Sequence, residues 1–240
     1  PRTKRNDAEY QDIAYHAVES ECSMCITPIT LKRDYKTIDG EFTKVVPCGK
    51  CVKCLQRRQN AWAFRLSEEA KRETTTSVCF MTLTYEEAPV SFNGYPTLEK
   101  KDFQNFMKRL QKKCPTQIIN EKRTKNIKYY ACGEYGSQTQ RPHYHAIVFN
   151  LPQNLITNDA IAPIWSHGIV DIGNGLVGGM RYVTKYAIKG NVVPSHELDD
   201  RLPEFSLMSK RLGDNHLTPE MVRYYKQRAV SYVTLPGGIP

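Results

Sequence analysis

Two strand-like runs, NIKYYACGEYG (126–136) and RPHYHAIVFN (141–150), are separated by only four polar residues, SQTQ. β-branched and aromatic residues joined by so short a polar link predict an antiparallel hairpin. A turn symmetric about Gln138 and Thr139 sets Glu134 opposite His143. Along a strand, residues i and i+2 share a face. His143 and His145 therefore point together, on the side of Glu134, and Tyr144 points into the opposite layer. A slip of one residue would turn every one of these side chains to the other face.

The rest of the chain supplies helices around such a hairpin. QRRQNAWAFRLSEEAKRE carries smaller and apolar residues at Ala61, Phe64, Leu66 and Ala70 and predicts a helix over about 55–73. TTTSVCFMTLTY predicts a buried strand over about 76–85. In TLEKKDFQNFMKRLQKKC, Phe103, Phe106, Met107 and Leu110 form one helical face. Lys100, Lys101, Lys108, Lys112 and Lys113 form the other, and Thr97 is the expected cap. A short helix in LITNDAIAPIWSHG is expected to stop at Gly168, with a strand at IVDIG after it. GGMRYVTKYAIKG predicts a helix with a glycine stop at Gly190. MVRYYKQRAVSYVTL predicts a further helix and a last strand. This order implies an α+β fold: a central, largely antiparallel sheet of about five strands, flanked by helices. A polar, cysteine-rich segment over 1–55 precedes the main domain over 56–240.

Charge narrows the partner. The 240 residues carry a net charge of +9, which favours a polyanion, nucleic acid before an acidic membrane. No run approaches the ~18 apolar residues of a membrane span, and the N-terminus shows no signal peptide. The chain starts on Pro1 and ends in TLPGGIP, so a processed or truncated chain is expected. Five of the eight cysteines crowd into ECSMC and PCGKCVKC, which points to metal rather than to disulfides. Cys22, Cys25, Cys48, Cys51 and Cys54 are candidates for a structural zinc held by four of the five, with an iron–sulfur cluster as the alternative. Cys79, Cys114 and Cys132 are read as core or edge residues.

Glu134, His143 and His145 offer two nitrogens and a carboxylate to one divalent ion and leave positions open for water or a phosphate oxygen. The set suits a catalytic Mg²⁺ or Mn²⁺, and zinc would also bind it. Two histidines exposed beside an unrelated glutamate are the plainer alternative. Downstream, Tyr182 and Tyr186 lie one helical turn apart with Lys185 beside them. A phenol with its usual pKa of about 10 is a weak nucleophile, and a nearby cation or metal activates it. An amphipathic helix that buries both rings is the other reading.

FMTLTY, then GEYG…RPHYHAIVF, then YVTKY appear in the order found in the HUH endonucleases, the nickases that start rolling-circle replication. With PCGKCVKC and RRQNAWAFRL, the chain resembles the replication initiators of the small single-stranded DNA microviruses of the gokushovirus type, over about residues 45–190. The resemblance implies an HUH-type, RRM-like nuclease fold in which Glu134, His143 and His145 hold the metal. It implies that Tyr182 attacks the scissile phosphate to leave a 5′-phosphotyrosine and a free 3′-hydroxyl. Tyr186 would then act at the next origin, and Lys185 would steady the phosphate or lower a phenol pKa. The expected partner is single-stranded DNA at a replication origin, with host replication proteins as further partners, in the host cell cytoplasm. Arg141, Arg181, Arg57, Arg58 and Lys53 are the candidate DNA contacts. His16, His167, His196 and His216 match no motif and are read as structural. Two other readings keep the fold: a non-catalytic, zinc-stabilised single-strand binding module, and a metal-dependent nuclease that uses water.

Overall fold

Period-two alternation on the central strands sorts the core into two layers. The structure is a computed structural model and describes residues 25–32, 43–119, 122–124, 126–174, 177–185 and 193–228. The described chain forms two units. One takes the described residues up to Asn60 and from Asn215 on; the other is Ala61–Asp214.

The first unit contains β1 (Ile29–Lys32) paired antiparallel with β2 (Thr43–Val46), followed by the start of helix α1 (Val52–Lys71), within which the boundary falls. The second unit is built on a five-stranded sheet of order β8-β3-β7-β6-β9, every neighbour antiparallel. Its strands are β3 (Val78–Tyr85), β6 (Lys128–Tyr135), β7 (Pro142–Phe149), β8 (Gly168–Asn174) and β9 (Phe205–Met208); β4 (Gln117–Ile119) and β5 (Lys122–Thr124) form a separate ladder. Helices α2 (Lys100–Lys113), α3 (Asn158–Trp165) and α4 (Val177–Lys185) flank the sheet, and α5 (Pro219–Arg228) belongs to the first unit. The expected α+β architecture is the one found. Among the described residues no helix is long and apolar enough to cross a membrane.

One face of the sheet presents Met81, Leu83, Tyr85, Ala131, Tyr144, Ala146 and Val148 to Phe103, Phe106, Met107 and Leu110 of α2 and to Ile161, Ile164 and Trp165 of α3. Burying each of the larger side chains contributes roughly 1.5–3 kcal/mol. The other face packs Tyr130, Cys132, Ile147 and Phe149 with Leu66 of α1, Met180 and Val183 of α4, and Leu212. Tyr144 lies in the first layer, with its hydroxyl 2.8 Å from that of Tyr85 and donating to the Glu99 carbonyl at 2.7 Å. Cys79, Cys114 and Cys132 are buried free thiols, as expected.

Several local expectations are corrected. Thr97 does not cap α2; the carboxylate of Glu99 does, accepting from the Lys101 N–H at 2.9 Å. The Thr97 hydroxyl instead accepts from Leu202 N–H at 2.9 Å, so a tertiary contact takes the local cap's oxygen. Helix α3 ends at Ser166, which takes the left-handed conformation at φ 58°, and not at Gly168. Gly168 opens β8 opposite Tyr85, where a Cβ would run into the Glu86 nitrogen and lie 2.7 Å from the Thr84 carbonyl oxygen. The expected continuation of α4 to Gly190 and the last C-terminal strand fall outside the described residues. The fifth strand is β9, which the sequence reading took for turns.

Candidate metal centre

The register of the hairpin decides the site. β6 and β7 pair with Glu134 opposite His143 and Cys132 opposite His145, which is the arrangement expected from the short turn. Glu134 is 2% exposed and His145 6%, so both belong to the sheet's covered face. Oε1 of Glu134 lies 2.7 Å from His143 Nε2 and 2.9 Å from His145 Nε2. Each of the three residues offers a ligand atom within 4.8 Å of the others.

The donors fit a divalent ion. Around an ion with bonds of ~2.1 Å, neighbouring donors sit roughly 3.0–3.4 Å apart, so these three need only move outward by a few tenths of an ångström. Protonation points the same way. His143 Nδ1 is 2.9 Å from the Arg141 carbonyl, which can only accept, so the ring hydrogen is on Nδ1. Nε2 then bears the lone pair, and its short contact with a carboxylate needs a proton or a cation between them. Burial opposes the charge on Glu134, yet the hydrogen bonds and charge of His143 and His145 hold its carboxyl down at about 2.

Around the triad stand residues that the sequence reading did not single out. Thr82 on β3 pairs with His145, and its Oγ1 is 3.0 Å from His145 Nδ1. Phe80 stacks on the His145 ring at 5.3 Å with the planes 22° apart. Tyr182, brought over this face by α4, meets the His145 ring edge-on at 5.1 Å and Phe80 at 5.8 Å. Tyr182 is 41% exposed, so one side of its ring faces solvent. Thr82 and Phe80 share a face with each other by strand alternation. That β3 borders β7 is a long-range pairing, and no signal local to either strand reports it.

Lys185 is exposed at the end of α4. Tyr186 and the side chain of Arg181 lie outside the described residues. The exposed Arg141 donates through its guanidinium to the Tyr85 carbonyl, which anchors it at the end of β3. Lys53 and Arg58 are exposed and Arg57 half-buried on the first turns of α1, with Arg58 donating to the Gly49 carbonyl at 3.3 Å. These three belong to the first unit and Arg141 to the second. Of the lysine stripe on α2, Lys100 sits over the Phe205 ring at 4.7 Å and the others are exposed. His167 packs its ring against Trp165 and Tyr85, His196 meets Tyr95 edge-on, and His216 lies in a short turn. His16 falls outside the described residues.

The cysteines form a second cluster, in the first unit. Cys25, Cys48, Cys51 and Cys54 come together, with Sγ separations of 3.8 Å for Cys25–Cys51, 3.5 Å for Cys25–Cys54 and 4.0 Å for Cys48–Cys54. Sulfurs around a tetrahedral ion with bonds of ~2.3 Å are about 3.8 Å apart. Main-chain N–H groups of Lys50 and Cys51 point at Cys48 Sγ from 3.4 and 3.2 Å, and Gly49 at φ 73° allows the turn that aims them. The Thr27 hydroxyl, then these two N–H groups, push the Cys48 thiol down to about 5, a thiolate at neutral pH. Burial pushes Cys54 up to about 12, so a metal there would have to displace a proton. Cys22 lies outside the described residues, and four thiols are already assembled without it.

A buried carboxylate between two imidazoles, on a hairpin and beneath a tyrosine-bearing helix, is also where the chain's relatives align. Residues 78–191 match the replication-associated protein ORF2 family. The family stretch starts at the first residue of β3 and takes in Glu134, His143, His145, Tyr182, Lys185 and Tyr186, but not the cysteine cluster. The chain is 30% identical over 207 residues to the replication-associated protein ORF2 of Spiroplasma virus 4, which covers 80% of this chain and 63% of that protein. It is 28% identical over 207 residues to the replication-associated protein VP4 of Bdellovibrio phage phiMH2K, covering 80% of this chain and 62% of that one. It is also 28% identical over 172 residues to the replication-associated protein ORF4 of Chlamydia phage 1, covering 64% of this chain and 40% of that one. The chain thus spans under two thirds of the length of these relatives. No solved structure matches it. The expected kinship with replication proteins of small phages holds.

Proposed function

We propose that the protein is a metal-dependent DNA nickase and strand transferase that starts rolling-circle replication at an origin in single-stranded DNA. The observation that supports this reading above all is the meeting of Tyr182 with His145, at the edge of the Glu134–His143–His145 cluster. In this reading Glu134, His143 and His145 hold Mg²⁺ or Mn²⁺, which supplies Lewis-acid chemistry to the scissile phosphodiester. Tyr182 gives up its phenolic proton, and its oxygen bonds to phosphorus. The bond to the 3′-oxygen breaks, and that oxygen leaves with a proton as a 3′-hydroxyl. The tyrosyl ester keeps the energy of the broken bond, so rejoining needs no nucleotide cofactor. Tyr186, one helical turn on in sequence, acts in the second transfer, and Lys185 between them favours the phenolate.

Arg141 and Arg181 are the phosphate contacts nearest the catalytic residues in sequence. Lys53, Arg57 and Arg58 bind the strand through the first unit, where Cys25, Cys48, Cys51 and Cys54 hold a structural zinc. On this view residues 1–55 are a zinc-binding segment and 56–240 the nickase domain.

The test uses single strands tiling the genome that encodes the chain, incubated with the protein and Mn²⁺. A covalent protein–DNA adduct on a denaturing gel is expected. Tyr182→Phe combined with Tyr186→Phe abolishes both adduct and cleavage, with metal binding retained. Cleavage that persists in the double variant, without an adduct, overturns the tyrosine chemistry in favour of attack by water. Binding without cleavage in the wild type overturns the enzyme altogether.

A further inference from the structure

We propose that Thr82 is a positioning residue of the metal centre, holding His145 in the tautomer that turns the Nε2 lone pair toward Glu134. The inference rests on the reading that Glu134, His143 and His145 bind a divalent ion. The two imidazoles are oriented by different means. His143 Nδ1 meets the Arg141 carbonyl at 2.9 Å, a main-chain acceptor that no substitution removes. His145 Nδ1 meets a side-chain oxygen, Thr82 Oγ1 at 3.0 Å, which a single substitution takes away.

A hydroxyl can donate or accept. Only when it accepts does Nδ1 carry the hydrogen and Nε2 stay open, on the side where Glu134 Oε1 lies at 2.9 Å. The alternative tautomer would direct an N–H at the place of the cation. Thr82 is well placed to set this choice. Its backbone is paired on both sides, to His145 on β7 and to Asp171 on β8, and its branched Cβ restricts the rotamer. The stacked ring of Phe80 limits the tilt of the imidazole, and the hydroxyl of Thr82 determines which nitrogen faces which way. A partner of this kind on the distal nitrogen of a metal-binding histidine typically changes metal affinity by 10–100-fold.

The experiment titrates the full chain with Mn²⁺ alone, without DNA, by calorimetry and by the loss of the free-ion resonance signal, and records metal-free melting curves beside it. Thr82→Val keeps the branched shape and removes the hydroxyl; it is expected to weaken Mn²⁺ binding roughly 10–100-fold. Thr82→Ser keeps the hydroxyl and is expected to bind within about threefold of wild type. Both should melt near the wild-type temperature without metal, whereas a merely structural residue would shift the melt and leave the affinity alone. If Thr82→Val folds poorly, Thr82→Ala gives the same comparison with Thr82→Ser. Wild-type chain that binds no Mn²⁺ removes the metal centre and the inference together. Wild-type binding matched by both hydroxyl-free variants overturns the inference alone.

Discussion

Replacing Glu69 tests how the strand that carries Glu134 is anchored. Glu69 has a fully buried side chain on α1. Its carboxylate accepts from Arg72 Nε at 2.9 Å and Nη2 at 3.1 Å, from Lys128 Nζ at 2.9 Å and from Gly213 N–H at 2.8 Å. Lys128 is the first residue of β6, so one buried charge ties helix, strand and turn together. Removing one partner of a buried ion pair costs about 3–5 kcal/mol. Here Arg72 and Lys128 keep 23% and 19% side-chain exposure and are partly rehydrated once abandoned. The lower end applies, so Glu69→Ala should cost about 3 kcal/mol. At about 2–4 °C per kcal/mol for a unit of this size, the melting temperature falls by roughly 6–12 °C at pH 7. Burial raises the Glu69 pKa, but Arg72, the Gly213 N–H and Lys128 together bring it below the ordinary carboxylate value. A lowered folded-state pKa means that the stabilisation is fully present above the unfolded pKa of about 4.3 and is lost as pH falls through the folded value. The gap between wild type and Glu69→Ala, followed by circular dichroism, should therefore narrow in strongly acidic buffer. A drop of less than about 2 °C at pH 7, or a gap that widens in acid, refutes the argument.

Two further outcomes follow from the site. Glu134→Ala should abolish Mn²⁺ binding in calorimetry and strand cleavage on gels. Its salt-dependent affinity for single strands should stay near wild type, since phosphate neutralisation carries that term; unchanged cleavage would remove Glu134 from the centre. Elemental analysis of purified protein should find about one zinc per chain, lost in Cys54→Ser, because structural zinc is held by four ligands. A full zinc complement in that variant would show that the described quartet is not the ligand set.

Much of the candidate centre was legible in the sequence, for a local reason. Glu134, His143 and His145 lie within one hairpin, where a four-residue link and period-two alternation dictate which side chains meet. The assignment of Tyr144 to the opposite layer follows from the same alternation. Cap and stop signals fared worse. Thr97 and Gly168 have the right chemistry for helix ends, but tertiary pairings, Thr97 with Leu202 and Gly168 with Tyr85, use them elsewhere. Strand β9 was hidden because it is a short edge strand of four residues, three of them half-buried, without the apolar alternation of β3.

By itself, the sequence determined the hairpin, its register, the shared face of the triad and the close spacing of the thiols. Each of these depends on residues a few positions apart, where backbone geometry leaves few choices. Only the tertiary structure decided that β3 lies against β7, that Thr82 therefore reaches His145, that α4 lays Tyr182 on the same imidazole, and that Cys25 meets Cys54. Those contacts join segments far apart in the chain. Strand order and helix docking are set by how whole apolar faces fit together, and a local pattern does not record that fit.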